Sequence, residues 1–109
     1  MRQLGRREEA LADYEHVLRL EPNDTGAHIG RGQALLELGR AEEPLAAFEH
    51  VLRLQPNFAL AHNNRGFVLR ALGRREEALA AYEQALRLEP NLTLARNNRR
   101  MILRELGQL

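Results

Sequence analysis

A period of 34 residues runs through the whole chain and constrains its fold more than any other feature. A glycine, a proline and an aromatic residue each recur at that interval. The recurring positions are Gly5, Gly39, Gly73 and Gly107; Pro22, Pro56 and Pro90; and Tyr14, Phe48 and Tyr82. Self-similarity at a fixed period of this size indicates a repeat architecture, in which each unit packs against its neighbours.

Each period predicts two helices. After each of the first three glycines, the apolar residues are spaced three and four apart, as in Leu79, Tyr82 and Leu86, which is the spacing of a helix and not of a strand. After each proline a second such pattern predicts helices over about 25–38, 59–72 and 93–106. We also expect intrahelical ion pairs between residues four apart. These pairs are Glu15–Arg19, Glu49–Arg53 and Glu83–Arg87.

Together these residues resemble the tetratricopeptide repeat family, over essentially the whole chain. The resemblance rests on the turn glycine, the aromatic residue and the proline, on the mid-helix glycines Gly32 and Gly66, and on the small residues Ala10 and Ala78. Pro44, the absence of tryptophan and Arg100 in place of a third mid-helix glycine depart from the family pattern. The resemblance implies a bacterial-type module with an all-α fold, an α-α superhelix (a tetratricopeptide solenoid) of six helices.

In the family's register the chain is a single domain of two full 34-residue repeats flanked by half repeats. Residues 1–24 form a half repeat with the second helix alone, 25–58 and 59–92 are whole repeats, and 93–109 are a half repeat whose helix caps the solenoid. Arg100 would solvate that last helix.

The resemblance also implies a binding surface, because the first helices of such repeats line a concave face. Asn64 and Asn98 recur on that face, and amide side chains can pair with both the C=O and the N–H groups of an extended peptide. An acidic side chain or a C-terminal carboxylate would be bound by Arg70 and Arg104, with Arg65 and Arg99 nearby. The predicted peptide-binding residues are Asn63, Asn64, Phe67, Arg70, Asn97, Asn98, Met101 and Arg104. We therefore expect a non-catalytic scaffold that holds a partner protein or an extended peptide.

Self-assembly is the alternative function. The first helix lacks a preceding partner, so we expect Leu11, Tyr14 and Leu18 to be poorly covered and to mediate self-association. Arg100 opposes seamless head-to-tail stacking, which favours a homodimer through the N-terminal helices.

Composition argues against other classes of function. The chain of 109 residues has 16 arginines, no Cys and a net charge of +1, which differs from the basic excess of nucleic-acid-binding proteins. No stretch approaches the roughly 18 apolar residues of a membrane-spanning helix. The four histidines occupy duplicated repeat positions, His16 with His50 and His28 with His62, which is not the spacing of a metal site. We expect no metal, no cofactor and no enzyme activity, and a cytoplasmic setting as the default.

Overall fold

Glycine and proline turns divide the chain into helices. The computed structural model describes residues 2–40 and 42–108, with side chains from residue 5 onward; residues 1, 41 and 109, which the predicted repeat limits include, lie outside it. The helices are α1 (Arg2–Leu20), α2 (Thr25–Glu37), α3 (Glu42–Leu54), α4 (Ala59–Ala71), α5 (Arg75–Leu88) and α6 (Thr93–Glu105). The described residues contain no strand. The prediction of an all-α repeat of six helices is confirmed.

A glycine in the left-handed region ends each of the helices α2, α4 and α6. The φ angles are 79° at Gly39, 80° at Gly73 and 73° at Gly107, a region that residues with a Cβ avoid. After Gly39 the backbone N–H of Arg40 donates to the carbonyl of Leu35 at 2.8 Å, which closes the helix end. Gly5 has no positive φ and lies inside α1. Helix α1 therefore begins earlier than the repeat predicts.

The helices form two layers. Each helix packs against the next one along the chain, and α4 also contacts both α2 and α6. The helices α1, α3 and α5 make no such contacts with one another in the described part of the chain. In a curved stack the elements on the inside of the curve approach one another most closely, so α2, α4 and α6 line the inner face.

In each of the two whole repeats, an aromatic ring packed on a glycine holds the two helices of that repeat together. Phe48 and Tyr82 are fully buried. A Cβ added to Gly32 would lie 2.5 Å from Cζ of Phe48, and one added to Gly66 would lie 2.7 Å from Cε1 of Tyr82. Both distances are shorter than carbon atoms allow, so only glycine permits each helix pair to approach this closely.

Helix α1 is better covered than the sequence predicts. Leu11 is 8% exposed and packs with Ala34 and Leu35 of α2. The ring of Tyr14 lies over Gly30, and Leu18 is partly buried. The expectation that all three predicted self-association residues are poorly covered is therefore wrong for Leu11, because α2 alone is enough to bury that side chain.

Ion pairs between successive repeats replace the predicted pairs within helices. In each case a glutamate of an outer helix accepts from an arginine of the next inner helix. The pairs are Arg31–Glu15 at 3.3 Å, Arg65–Glu49 at 3.4 Å and Arg99–Glu83 at 3.3 Å. The prediction that these glutamates pair with Arg19, Arg53 and Arg87 is wrong, since the adjacent helix brings another guanidinium within reach.

None of the described helices combines the length and the apolar character that crossing a membrane requires.

Candidate functional site

A shallow pocket of about 350 Å³ lies on the inner face and spans the helices α2, α4 and α6. Three separate segments of the chain build it, as expected of a surface that can hold a ligand. The lining residues are Gln33, Leu36, Glu37, Asn63, Asn64, Phe67, Leu94 and Asn98. By contrast, hollows of similar volume at the proline turns are each formed by a single short run of consecutive residues.

Three asparagines form a hydrogen-bonded cluster in this pocket. The Nδ2 of Asn98 donates to Oδ1 of Asn63 at 3.0 Å, which links α6 to α4. The Nδ2 of Asn63 donates in turn to Oδ1 of Asn64 at 3.4 Å. Asn63 and Asn64 are 2% and 7% exposed. The amides therefore form one connected chain, buried at Asn63 and Asn64 and partly buried at Asn98, and not the two independent surface groups that the 34-residue spacing predicts.

The amide chain ends in a donor without an acceptor. The Nδ2 of Asn64 is buried and makes no hydrogen bond to any residue that the structure describes. Leaving such a group unpaired costs about 1–3 kcal/mol. This atom is the strongest sign in the pocket of a missing polar partner.

Exposed apolar side chains lie beside the amides. Phe67 and Leu94 line the pocket and are 42% and 55% exposed. Met101, on α6, is exposed to the same extent as Phe67. Sequence reasoning missed Leu94, although it lies four residues before Asn98 and therefore on the same face of the helix. The pocket thus combines a polar floor with an apolar rim.

The sequence predicts that Arg70 binds an anionic ligand, but in the structure Arg70 is paired with a glutamate of the chain itself. Its Nε and Nη2 donate to Oε2 of Glu105 on α6 at 2.9 and 2.5 Å, and Arg75 donates to the other oxygen of Glu105 at 3.3 Å. The hydrogen bond from Arg70 is the main reason why the pKa of Glu105 is lowered from its ordinary value. Arg65 and Arg99, which the sequence placed near the site, are likewise paired with glutamates.

The remaining predicted residues lie outside the pocket. Asn97, Met101 and Arg104 are exposed on α6 and do not line it. Arg104 forms no ion pair with the described residues. Of the eight predicted binding residues, the structure thus brings together Asn63, Asn64, Phe67 and Asn98.

The histidines stabilise turns. The Nε2 atoms of His28 and His62 hydrogen-bond the carbonyls of Pro22 and Pro56 at 2.7 and 2.9 Å. The rings of His28 and His50 lie 4.8 Å apart and are tilted. Among the described residues, no group of three or more His, Cys, Asp or Glu is arranged to hold a metal ion.

Comparison with known proteins agrees with this geometry. Two family models described as tetratricopeptide repeat match the chain, one over residues 1–66 and the other over residues 59–92. The chain belongs to the tetratricopeptide repeat family. No curated protein sequence matches this tetratricopeptide chain.

Solved structures of other tetratricopeptide proteins share its fold. The first such domain of Spaghetti (RPAP3), bound to the HSP90 peptide SRMEEVD, is 28% identical with a TM-score of 0.88, over 96% of this chain and 83% of that one. YrrB, described as having an unusual peptide-binding site, is 28% identical with a TM-score of 0.82, over 90% and 50%. A thermophilic tetratricopeptide protein of Thermus thermophilus, TTC0263, is 26% identical with a TM-score of 0.88, over 97% and 60%.

Proposed function

We propose that this tetratricopeptide chain is a non-catalytic scaffold that holds an extended segment of a partner protein in the inner-face pocket. The buried, unpaired Nδ2 of Asn64 is the observation that carries the proposal. A carbonyl of a peptide backbone would supply the acceptor that this donor lacks, once the Asn64 amide turns toward the pocket. Two relatives at 28% identity, Spaghetti and YrrB, are described with a bound peptide or a peptide-binding site, which supports this class of ligand.

The side-chain chemistry of the pocket favours an uncharged, apolar peptide. Phe67, Leu94 and Leu36 offer apolar surface to alternate side chains of an extended segment. The one ionisable lining residue, Glu37, is paired with Arg7 at 2.6 Å. Because Arg70 is also paired, the pocket offers little attraction to an acidic peptide. In this respect we expect a ligand unlike the HSP90 peptide, which has three acidic residues.

We also infer that the chain itself catalyses no reaction. Its hydroxyl groups are those of Tyr14, Tyr82, Thr25 and Thr93. The Tyr82 hydroxyl is buried, and Thr93, exposed at the start of α6, does not line the pocket. None of the four lines the pocket beside a base, which is the arrangement that nucleophilic catalysis needs.

Selection from a random-peptide display library tests the peptide-binding proposal. The parent chain is compared with Asn64→Ala/Asn98→Ala, with Phe67→Ala and with the control Asn97→Ala, which alters an exposed amide outside the pocket. We expect the parent and the control to enrich the same apolar peptides and the two pocket variants to lose them. Circular dichroism verifies that each variant is folded. Enrichment that survives both pocket variants, or a folded parent that enriches nothing, would contradict the proposal.

A further inference from the structure

One repeat position is exposed on α1 although its two copies are buried. Asp13 on α1 is exposed, whereas its copies Ala47 and Ala81 are 7% and 3% exposed. In the whole repeats an inner helix precedes the outer helix and covers this position. A position that is buried and apolar in the whole repeats is therefore exposed and negatively charged on α1.

The last helix has a matching surface of opposite charge. Arg100 on α6 is exposed, whereas its copies Gly32 and Gly66 are buried beneath the rings of Phe48 and Tyr82. Arg104, one turn further along, is also exposed. The uncovered surface of α6 is thus positively charged.

The contact between α4 and α5 shows how these two surfaces fit together. Ala81 of α5 lies in one buried cluster with Leu69 of α4, and the neighbouring Tyr82 packs on Gly66 of α4. If α1 of a second molecule packs on α6 as α5 packs on α4, Asp13 takes the place of Ala81 and Arg100 that of Gly66. The carboxylate and the guanidinium then lie in the same contact.

The position of Tyr14 removes the steric obstacle to this contact. In the whole repeats the aromatic ring fills the space over the mid-helix glycine, which would leave no room for Arg100. The Tyr14 ring instead lies over Gly30 of its own α2. The space that a ring would occupy over α6 is therefore open to the Arg100 side chain.

We propose that copies of this chain associate head to tail, with α1 of one molecule on α6 of the next and Asp13 paired with Arg100. A symmetric contact between two α1 helices would instead bring Asp13 near its own copy, and like charges oppose that arrangement. A head-to-tail contact leaves each molecule with one further α1 surface and one further α6 surface, so it produces rings where the rotation between copies closes and open-ended chains where it does not. Neither Asp13 nor Arg100 lines the inner-face pocket, so this contact and peptide binding can be tested separately.

Charge reversal combined with sedimentation velocity tests the proposal. We expect the average sedimentation coefficient of the parent to rise from micromolar to near-millimolar concentration. Asp13→Arg and Arg100→Asp each place like charges in the contact, and each should weaken association by at least roughly tenfold. Both positions are exposed, so the variants are expected to fold, which circular dichroism verifies.

The combination of the two changes separates head-to-tail from symmetric association. The double variant Asp13→Arg/Arg100→Asp restores opposite charges in a head-to-tail contact, and so does an equimolar mixture of the two single variants. Both samples should therefore associate again. In a symmetric α1 contact position 100 takes no part, and Asp13→Arg only exchanges one pair of like charges for another, so neither single change would weaken association. A parent that is monomeric at every concentration, single variants that associate as the parent does, or a double variant that stays dissociated would overturn the proposal.

Discussion

The ring of Tyr14 lies over Gly30, whereas the rings of its two repeat copies lie over the mid-helix glycines Gly32 and Gly66. The copies of Gly30 in the next two repeats are Asn64 and Asn98. Any Cβ at position 30 would overlap the Tyr14 ring, so an asparagine cannot stand there without moving that ring. The asparagine cluster of the inner face therefore begins only at the second repeat, and the packing of α1 is the reason.

Substitution of Gly30 tests this packing. Alanine favours a helix by roughly 1 kcal/mol over glycine, but forcing a methyl group into an occupied space costs about 1–3 kcal/mol. We expect Gly30→Ala to lower the free energy of unfolding in urea. The matched control is Gly26→Ala in the same helix, where the added Cβ would lie 3.4 Å from Asp24 Oδ1, an ordinary contact. That variant should be as stable as the parent or slightly more so. Equal effects at both positions would argue against the contact with Tyr14.

Asn63 and Asn97 occupy the same repeat position and should differ sharply in their contribution to stability. Asn63→Ala leaves the buried Asn64 amide and the partly buried Asn98 amide without their partner, which we expect to lower the free energy of unfolding by about 1–3 kcal/mol. Asn97→Ala alters an exposed side chain, and its effect should stay within about 0.5 kcal/mol. Thermal and urea unfolding of the two variants provides the comparison. Similar losses would show that the amide cluster does not stabilise the contact between α4 and α6.

The Tyr82 hydroxyl is buried and forms no hydrogen bond with the residues that the structure describes. Because Phe48 fills the same position in the preceding repeat, we expect Tyr82→Phe to be neutral or stabilising, by up to about 1 kcal/mol at neutral pH. Tyr82→Ala would instead leave a cavity and cost about 3–5 kcal/mol. A clear loss of stability in the phenylalanine variant would show that the hydroxyl has a partner, such as a buried water.

The same hydroxyl predicts a sensitivity to alkaline pH. Burial raises the pKa of Tyr82 from 10.0 to about 12, so the unfolded chain releases this proton at a lower pH than the folded chain does. The folded state therefore loses stability as the pH rises from 10 toward 12. As the pH rises across this range, the urea midpoint of unfolding should fall less for Tyr82→Phe than for the parent. Parallel curves would contradict the raised pKa.

The ion pair between Arg70 and Glu105 predicts a sensitivity to acid. Because Arg70 lowers the pKa of Glu105, the stabilisation is present at neutral pH and disappears as the pH falls below the ordinary value of 4.5. At neutral pH, Glu105→Gln should therefore have a lower free energy of unfolding than the parent. We expect this difference to become smaller in high salt and to disappear at acidic pH. If the difference in stability were the same at low pH, its cause would be packing and not the charge of Glu105. Arg70→Met should leave the binding of uncharged peptides intact, since Arg70 does not line the pocket.

Much of the fold follows directly from the repeat. The period, the helical spacing of apolar residues and the turn glycines predict the number of helices and the bounds of α2, α4 and α6 to within a residue. Gly32 and Gly66 also indicate close helix approach, because glycine destabilises the middle of a helix and is expected there only where a side chain would not fit. The sequence also predicts Asn64, Asn98 and Phe67 as binding-site residues, because they lie on the same face of the inner helices.

The contacts between helices could not be predicted in the same way. Periodicity assigns a side chain to a face but does not choose its partner across an interface. Thus Glu15 pairs with Arg31 and not with Arg19, and Arg70 is held by Glu105. The burial of Asn63 depends on an amide that α6 supplies 35 residues later in the chain. Each of these outcomes is set by the distance between two helices, which a single sequence does not contain.

The three ion pairs Arg31–Glu15, Arg65–Glu49 and Arg99–Glu83 place the same kind of contact, with nearly equal distances, at each described junction between successive repeats. Each of these junctions thus repeats one type of arginine–glutamate contact. Duplicating residues 59–92 within the chain would create one more junction of a type already present, with its own aromatic ring, mid-helix glycine and bridging arginine. The chain can therefore be lengthened by whole units, each of which adds one helix to the inner face, and the proposed peptide-binding surface would lengthen with it.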